Sequence, residues 1–281
     1  MELKRRFVFR GNAAAFNGRL IRPKDIVLEN SCASSLPVVG GRSRSRCGPQ
    51  QFGDEIRFES ASTLAEGLFD DPRGFEELTH QRGREEMLAT STNVAAEVRG
   101  LAVGLKPQLT AARIAAAMRS HSPRGSGETP VVVGRESAVE DLAIDGHKLI
   151  VELETELFER YDTRSKLLAA ADDPRFVEQF GAALFMQAGF EGRAVPPGGR
   201  IIRSEYVHAT IVRSVRWDGD PFPGSRIDHN LVIVPNLGRL YFGELLITAS
   251  SKRLTMLRME LGSPAGGTVA CADIENDGGW S

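Results

Sequence analysis

Between Gly199 and Trp280 the sequence sets out short apolar stretches divided by turn residues, and this pattern constrains the fold more than any other feature of the chain. Residues 201–217 alternate. Val207, Ala209, Ile211, Val215 and Trp217 share one face, interrupted by Arg213, and Tyr206, His208, Thr210, Ser214 and Arg216 share the other. A period of two is the mark of a strand with one buried face, because successive side chains leave the pleat on opposite sides. Asp218-Gly219-Asp220-Pro221 ends the run. Four more runs follow at 227–234, 239–248, 253–261 and 268–274, separated by Pro235-Asn236, Ser250-Ser251 and a Gly- and Pro-bearing stretch after Leu261.

Connections this short favour antiparallel neighbours, since a parallel return needs a long crossover. The expectation is a mainly β (α+β) fold: an antiparallel β-meander, in a sandwich or a barrel-like sheet, with a small helical insert. Leu231-Val232-Ile233-Val234 and Leu245-Leu246-Ile247 are apolar on both faces, so a second layer must cover them. The helical segment at 155–180 is the expected cover. Within it, Thr163 and the pair Asp173-Pro174 carry helix-start chemistry.

The upstream residues divide less cleanly. Strands are expected at 3–10, 19–22, 25–28, 55–63, 89–103 and 130–133, with Gly11-Asn12 as a turn. A hairpin is expected at 139–153 around Asp145-Gly146. Residues 31–53 are rich in Ser, Gly, Arg and Pro and read as a surface loop. Inside it Arg42, Arg44 and Arg46 alternate with serines, a spacing that also suits a phosphate or an acidic partner. Leu109 to Arg119 is read as helix from its alanines and from Thr110 as N-cap, although its place between strands would suit a strand. The organisation expected is a β-rich region with long loops over 1–153, a helical insert over 154–195 and the meander over 196–281. These pack as one integrated domain or two close ones.

Function classes are narrowed mainly by exclusion. The net charge of −2 over 281 residues offers no basic excess for a phosphate backbone, so no nucleic-acid partner is expected. Three cysteines without a C-x-x-C spacing read as reduced thiols. Residues 1–10 lack a signal-peptide core, and no apolar run reaches the ~18 residues of a membrane helix. The expectation is a cytoplasmic protein with no integral membrane segment. Hydrolase-elbow, phosphate-loop, dinucleotide and helical zinc motifs are missing.

Two clusters remain. His208 and His229, with Arg226 and Asp228, are the residues an unrecognised enzyme would use, on or beside a loop of the β scaffold. Asp273, Glu275 and Asp277, followed by Gly278, resemble the opening of a calcium loop. Glu275 stands at the middle ligand, however, and the closing Glu is missing, so a turn after the last strand is the preferred reading. No cofactor and no metal are expected.

The chain therefore reads first as a non-catalytic binding or self-assembling protein, a homo-oligomer or one with a protein partner, because large sheets must cover their faces and edges. An enzyme centred on the His208 and His229 cluster is the second reading. A membrane-inserting β-pore former is the third, with 55–63 and 89–103 as convertible hairpins. Trp217 is expected to be buried, and Trp280 to be mobile or docked on a partner.

Overall fold

A computed structural model describes residues 8–20, 26–69, 89–122, 128, 130–170, 173–176, 206–248, 251–261 and 267–277. Trp280 lies outside them. The described residues are mainly β: two antiparallel sheets and short helices, with no closed barrel.

The chain opens in the first sheet with β1 (Val8–Leu20) and β2 (Ile26–Ser35). It then builds most of the second sheet from β3 (Gly41–Cys47), β4 (Gln50–Phe52), β5 (Ile56–Phe58), β6 (Ser60–Phe69), β7 (Thr90–Val103) and β8 (Leu109–Ser122). The short β9 (Val131–Val133), β10 (Ala138–Glu140), β11 (Leu142–Ile144) and β12 (His147–Leu153) complete that run. Two helices follow, α1 (Glu156–Arg160) and α2 (Arg164–Ala170). The first sheet regains the chain at β13 (Tyr206–Thr210), the second takes β14 (Val212–Asp218), and the first is finished by β15 (Arg226–Asp228), β16 (Leu231–Val234), β17 (Gly238–Thr248), β18 (Ser251–Glu260) and β19 (Gly267–Asp277). The strand order is β15-β16-β17-β18-β19-β1-β2 in the first sheet, with β13 also beside β17. The second sheet runs β14-β12-β11-β8-β7-β5-β4, with β6 on β7 and β3 outermost on β6.

The expected meander is present as β15 to β19. Its first expected strand is not a single strand. Residues 206–218 divide at Ile211, whose N–H donates to Gly243 O at 2.8 Å in the first sheet, while its carbonyl accepts from Glu154 N at 2.7 Å in the second. Ile211 and Val212 are both fully buried, so the alternation slips by one residue and Arg213 is left exposed. The interruption at Arg213 is thus the sequence signal of a change of sheet. Trp217 follows β14 onto an edge strand and is half-buried, not enclosed. The run at 227–234 is likewise two strands, turned at His229-Asn230, with His229 at φ 54°.

Three further expectations are corrected. Leu109 to Arg119 lies in β8, paired with β7 from Leu109 opposite Val103 to Ser122 opposite Thr90. Alanine's helix preference is worth only tenths of a kcal/mol per residue over most others, and burial of Ile114, Ala116 and Met118 in the shared core outweighs it. Residues 31–53 hold the end of β2 together with β3 and β4, because the Arg-Ser alternation is itself a period of two. Gly11-Asn12 is no turn but the middle of β1. Gly11 lets that strand pass close over β7, where a Cβ would sit 2.8 Å from Val94 Cγ2.

The sheets pack face to face through one apolar core, with Phe16, Val269 and Leu257 of the first sheet in the same cluster as Phe58, Ile114 and Met118 of the second. The layer expected over the meander is therefore chiefly the second sheet. The helices add Leu157, Phe158 and Leu167 to the same core. Helix α2 starts as its sequence implies, with Thr163 Oγ1 accepting from Lys166 N at 3.2 Å, and Asp173 Oδ1 caps the next turn by accepting from Arg175 N at 2.9 Å. Asp145-Gly146 forms the expected β11–β12 hairpin, both residues at positive φ as a two-residue hairpin turn requires. Lys252 of β18 is buried, and its ammonium donates to Val131 O at 2.8 Å and to Asp162 O, tying the first sheet to β9 and to the segment between the helices.

Candidate functional site: a trough on the second sheet

The residues singled out for chemistry in the meander come to one edge of the first sheet. His208 lies on β13 opposite Leu246, Arg226 and Asp228 lie on β15 opposite Ile233 and Leu231, and His229 sits in the turn between β15 and β16. Thr210 Oγ1 and Asn230 Nδ2 both donate to Phe242 O, at 3.1 and 2.9 Å, which brings that turn against the end of β13. Burial pushes the His208 imidazole below its ordinary pKa, with nearby Arg258 acting in the same sense and Glu244 against it. A neutral imidazole there fits a half-buried strand position.

The outer face of this sheet is closed by its own ion pairs. Arg258 donates from Nε and Nη2 to Glu244 at 2.6 and 2.8 Å and from Nη1 to Glu260 at 2.5 Å, and its guanidinium lies 3.7 Å from the Tyr241 ring centroid. Burial works against its charge, but the two carboxylates more than offset that and hold its pKa above the usual arginine range. Arg253 grips Asp273 Oδ2 at 3.1 and 2.7 Å. Asp273, Glu275 and Asp277 belong to the extended β19 and not to a loop of the kind the calcium pattern requires. Among the described residues no three His, Cys, Asp or Glu side chains are grouped to hold a metal ion.

The second sheet presents a different outer face, and its register explains the shape. Directly opposed residues share a side of the sheet. Arg44 lies opposite Leu64, Leu64 opposite Ala95, and Ala95 opposite Ala117. The next row reads Arg46, Ser62, Glu97 and Ala115. Two rows of mostly small residues therefore form a floor, with long side chains standing at either end. The result is an open trough of about 240 Å³, walled by Arg44 and Arg46 on one side and by Arg113 and Glu136 on the other. That is less than the roughly 300–1,000 Å³ of an enclosed small-molecule pocket.

The charges in the trough are unevenly satisfied. Glu97 accepts from Arg99 Nε and Arg113 Nε, each at 2.6 Å. Burial alone would raise its pKa, yet these two guanidiniums hold it below the usual carboxylate value. Arg113 also reaches Glu140 Oε1 at 2.7 Å and Glu136 O at 3.1 Å, Arg119 pairs with Glu136, and Arg42 pairs with Glu66 at 2.9 Å. Arg44 and Arg46 are exposed and make no ion pair among the described residues. Beneath them Ser45 and Cys47 face inward, and Cys32 Sγ lies 3.5 Å from Ser45 Oγ, which fixes the face β3 shows to solvent. Two such guanidiniums on one strand can each donate a pair of hydrogen bonds to a planar anion.

Sequence pattern marks Arg42, Arg44 and Arg46 but misses Glu97, Arg113, Glu136 and the alanine floor. A signal for them exists at every second position: Ala95, Glu97 and Arg99, and Arg113, Ala115, Ala117 and Arg119, are separated by the apolar Ala96, Val98, Ile114, Ala116 and Met118. The segments 55–63 and 89–103, expected as convertible hairpins, are β5, the start of β6 and β7, all joined in this sheet. Residues 7–188 match a protein family described as a domain of unknown function (DUF8256). No curated protein matches the chain, and no solved structure does. The trough lies wholly inside the matched span, whereas His208 and His229 lie outside it.

Proposed function

We propose that this chain, which belongs to the DUF8256 family, is a non-catalytic binding protein that engages a protein partner through the trough on its second sheet. The observation that carries this reading is the charge balance of the trough. Every described carboxylate there holds an arginine, while Arg44 and Arg46 make no ion pair among the described residues and stand over a floor of mostly small residues. Unpaired cations on a structured concave face are available to a ligand at little desolvation cost to the protein itself.

A photo-crosslinking residue in place of the exposed Leu68, on the same outer face, tests the reading in cells producing the protein. A discrete adduct is expected from that position and not from position 236 in the β16–β17 turn, and it should vanish in the Arg44→Ser/Arg46→Ser variant. No adduct at Leu68, or one indifferent to that variant, would overturn the proposal.

A further inference from the structure

We infer, resting on the binding reading above, that the partner at the arginine rim of the trough is an extended acidic protein segment whose carboxylates alternate along its chain and meet Arg44 and Arg46. The two arginines are i and i+2 on β3, so their roots stand about 6.6 Å apart on one face. An extended peptide repeats its same-face side chains at that same interval. Carboxylates at alternate positions of such a peptide therefore match the two guanidiniums one to one.

β3 also supplies the backbone for such a partner. Among the described residues it pairs with β6 alone and is the outermost strand on that side of the sheet. A strand added at its other edge would set alternate side chains directly opposite Arg44 and Arg46, along the rim of the trough, the β-augmentation mode of recognition. A second copy of β3 is disfavoured as occupant, because pairing it with itself antiparallel sets arginines against arginines. Single-stranded nucleic acid repeats its phosphates at a similar interval, but the trough offers it no aromatic platform.

The test uses the full chain and three fluorescent probes followed by polarisation. The first is a ten-residue peptide alternating Glu and Thr, the second has the same composition arranged in blocks, and the third is an oligothymidine of matching length. The alternating peptide should bind at least about tenfold more tightly than the block peptide, with affinity falling as salt rises. Arg44→Ser/Arg46→Ser should weaken it at least about tenfold, and Arg42→Ser, whose arginine already serves Glu66, less than about threefold. Arg44→Lys/Arg46→Lys keeps the charge, loses the fork and should fall between, which covers a serine variant that fails to fold. Equal binding of the two peptides, tighter binding of the oligothymidine, or indifference to the double variant would overturn the inference. A crosslinked adduct at Leu68 with no peptide binding would sink the acidic strand and leave the binding reading standing. Loss of the adduct as well would sink both.

Discussion

The outer faces of the two sheets are both rich in arginine, yet they use it differently. On the first sheet Arg258 is locked between Glu244 and Glu260 and lies over Tyr241, and Arg253 is locked on Asp273. On the second, Arg113 and Arg119 are locked in the same way, but Arg44 and Arg46 are not. Both arrangements stand on the same buried core, so the difference does not come from the scaffold. It comes from which strand carries the arginine. On interior strands Arg258 reaches Glu244 on β17 and Glu260 on its own strand, and Arg113 reaches Glu97 on β7 and Glu140 on β10, whereas among the described residues β3 has a neighbour on one side only. Of its three arginines, only Arg42 finds a carboxylate opposite, at Glu66.

Both faces rest on one core, and Phe16 lies within it. It is fully buried, with the Phe52 and Phe58 rings of the second sheet at 6.3 and 6.1 Å. Phe16→Ala should cost about 3–5 kcal/mol, with probes on both sheets melting in one transition. Two separate transitions would mean that the faces belong to independent units.

The link between the sheets has a pH signature. Burial pushes Lys252 down to about 8 from its ordinary 10.5. The folded state thus gives up this proton at lower pH than the unfolded chain does. Between about pH 8 and 10.5 the unfolded chain binds more protons, and stability from this group rises with pH; below pH 8 its cost is constant. The change is about 3 kcal/mol in all. Urea unfolding of the native chain and of Lys252→Met across that window should diverge in this sense. Parallel curves would show that the ammonium is not held as described.

A smaller pair of substitutions addresses the contrast itself. Arg258→Met leaves the partly buried Glu244 without its cation and Glu260 with only the more distant Arg239, and should cost about 1–3 kcal/mol, less than a fully buried pair would lose. Arg44→Ser/Arg46→Ser removes exposed, unpaired groups and should change stability by less than about 0.5 kcal/mol. Thermal unfolding compares them directly. Equal costs would erase the distinction between the two faces.

The legible parts of this fold are those in which local pattern and tertiary partner agree. Val232 and Ile247 sit in runs that alternate or cluster as buried strands must, Asp145-Gly146 has only one good hairpin, and Asp173 caps the turn that begins at Pro174. The illegible parts are those in which a partner overrides composition. Ala115 to Ala117 carry helix-forming side chains, and only β7 and β10 alongside make them strand. Ser43 and Ser45 look like loop until they are seen to face Thr63 and Ala65 on β6. The trough suffers twice, because it is assembled from four strands and its floor is alanine. No single stretch of sequence announces a surface defined by what its side chains leave empty. The change of sheet at Ile211 is visible as a broken alternation, but a break does not say where the chain goes next.

The most direct test of the central claim is the reactivity of individual arginines towards a dicarbonyl reagent that attacks accessible, unpaired guanidiniums, mapped by peptide mass on the folded chain. Arg44 and Arg46 should be modified first, Arg113 and Arg258 last, and the alternating acidic peptide should slow Arg44 and Arg46 selectively. Uniform rates across the four, or protection of Arg44 and Arg46 without any ligand, would contradict the claim that these two arginines stand free for a partner.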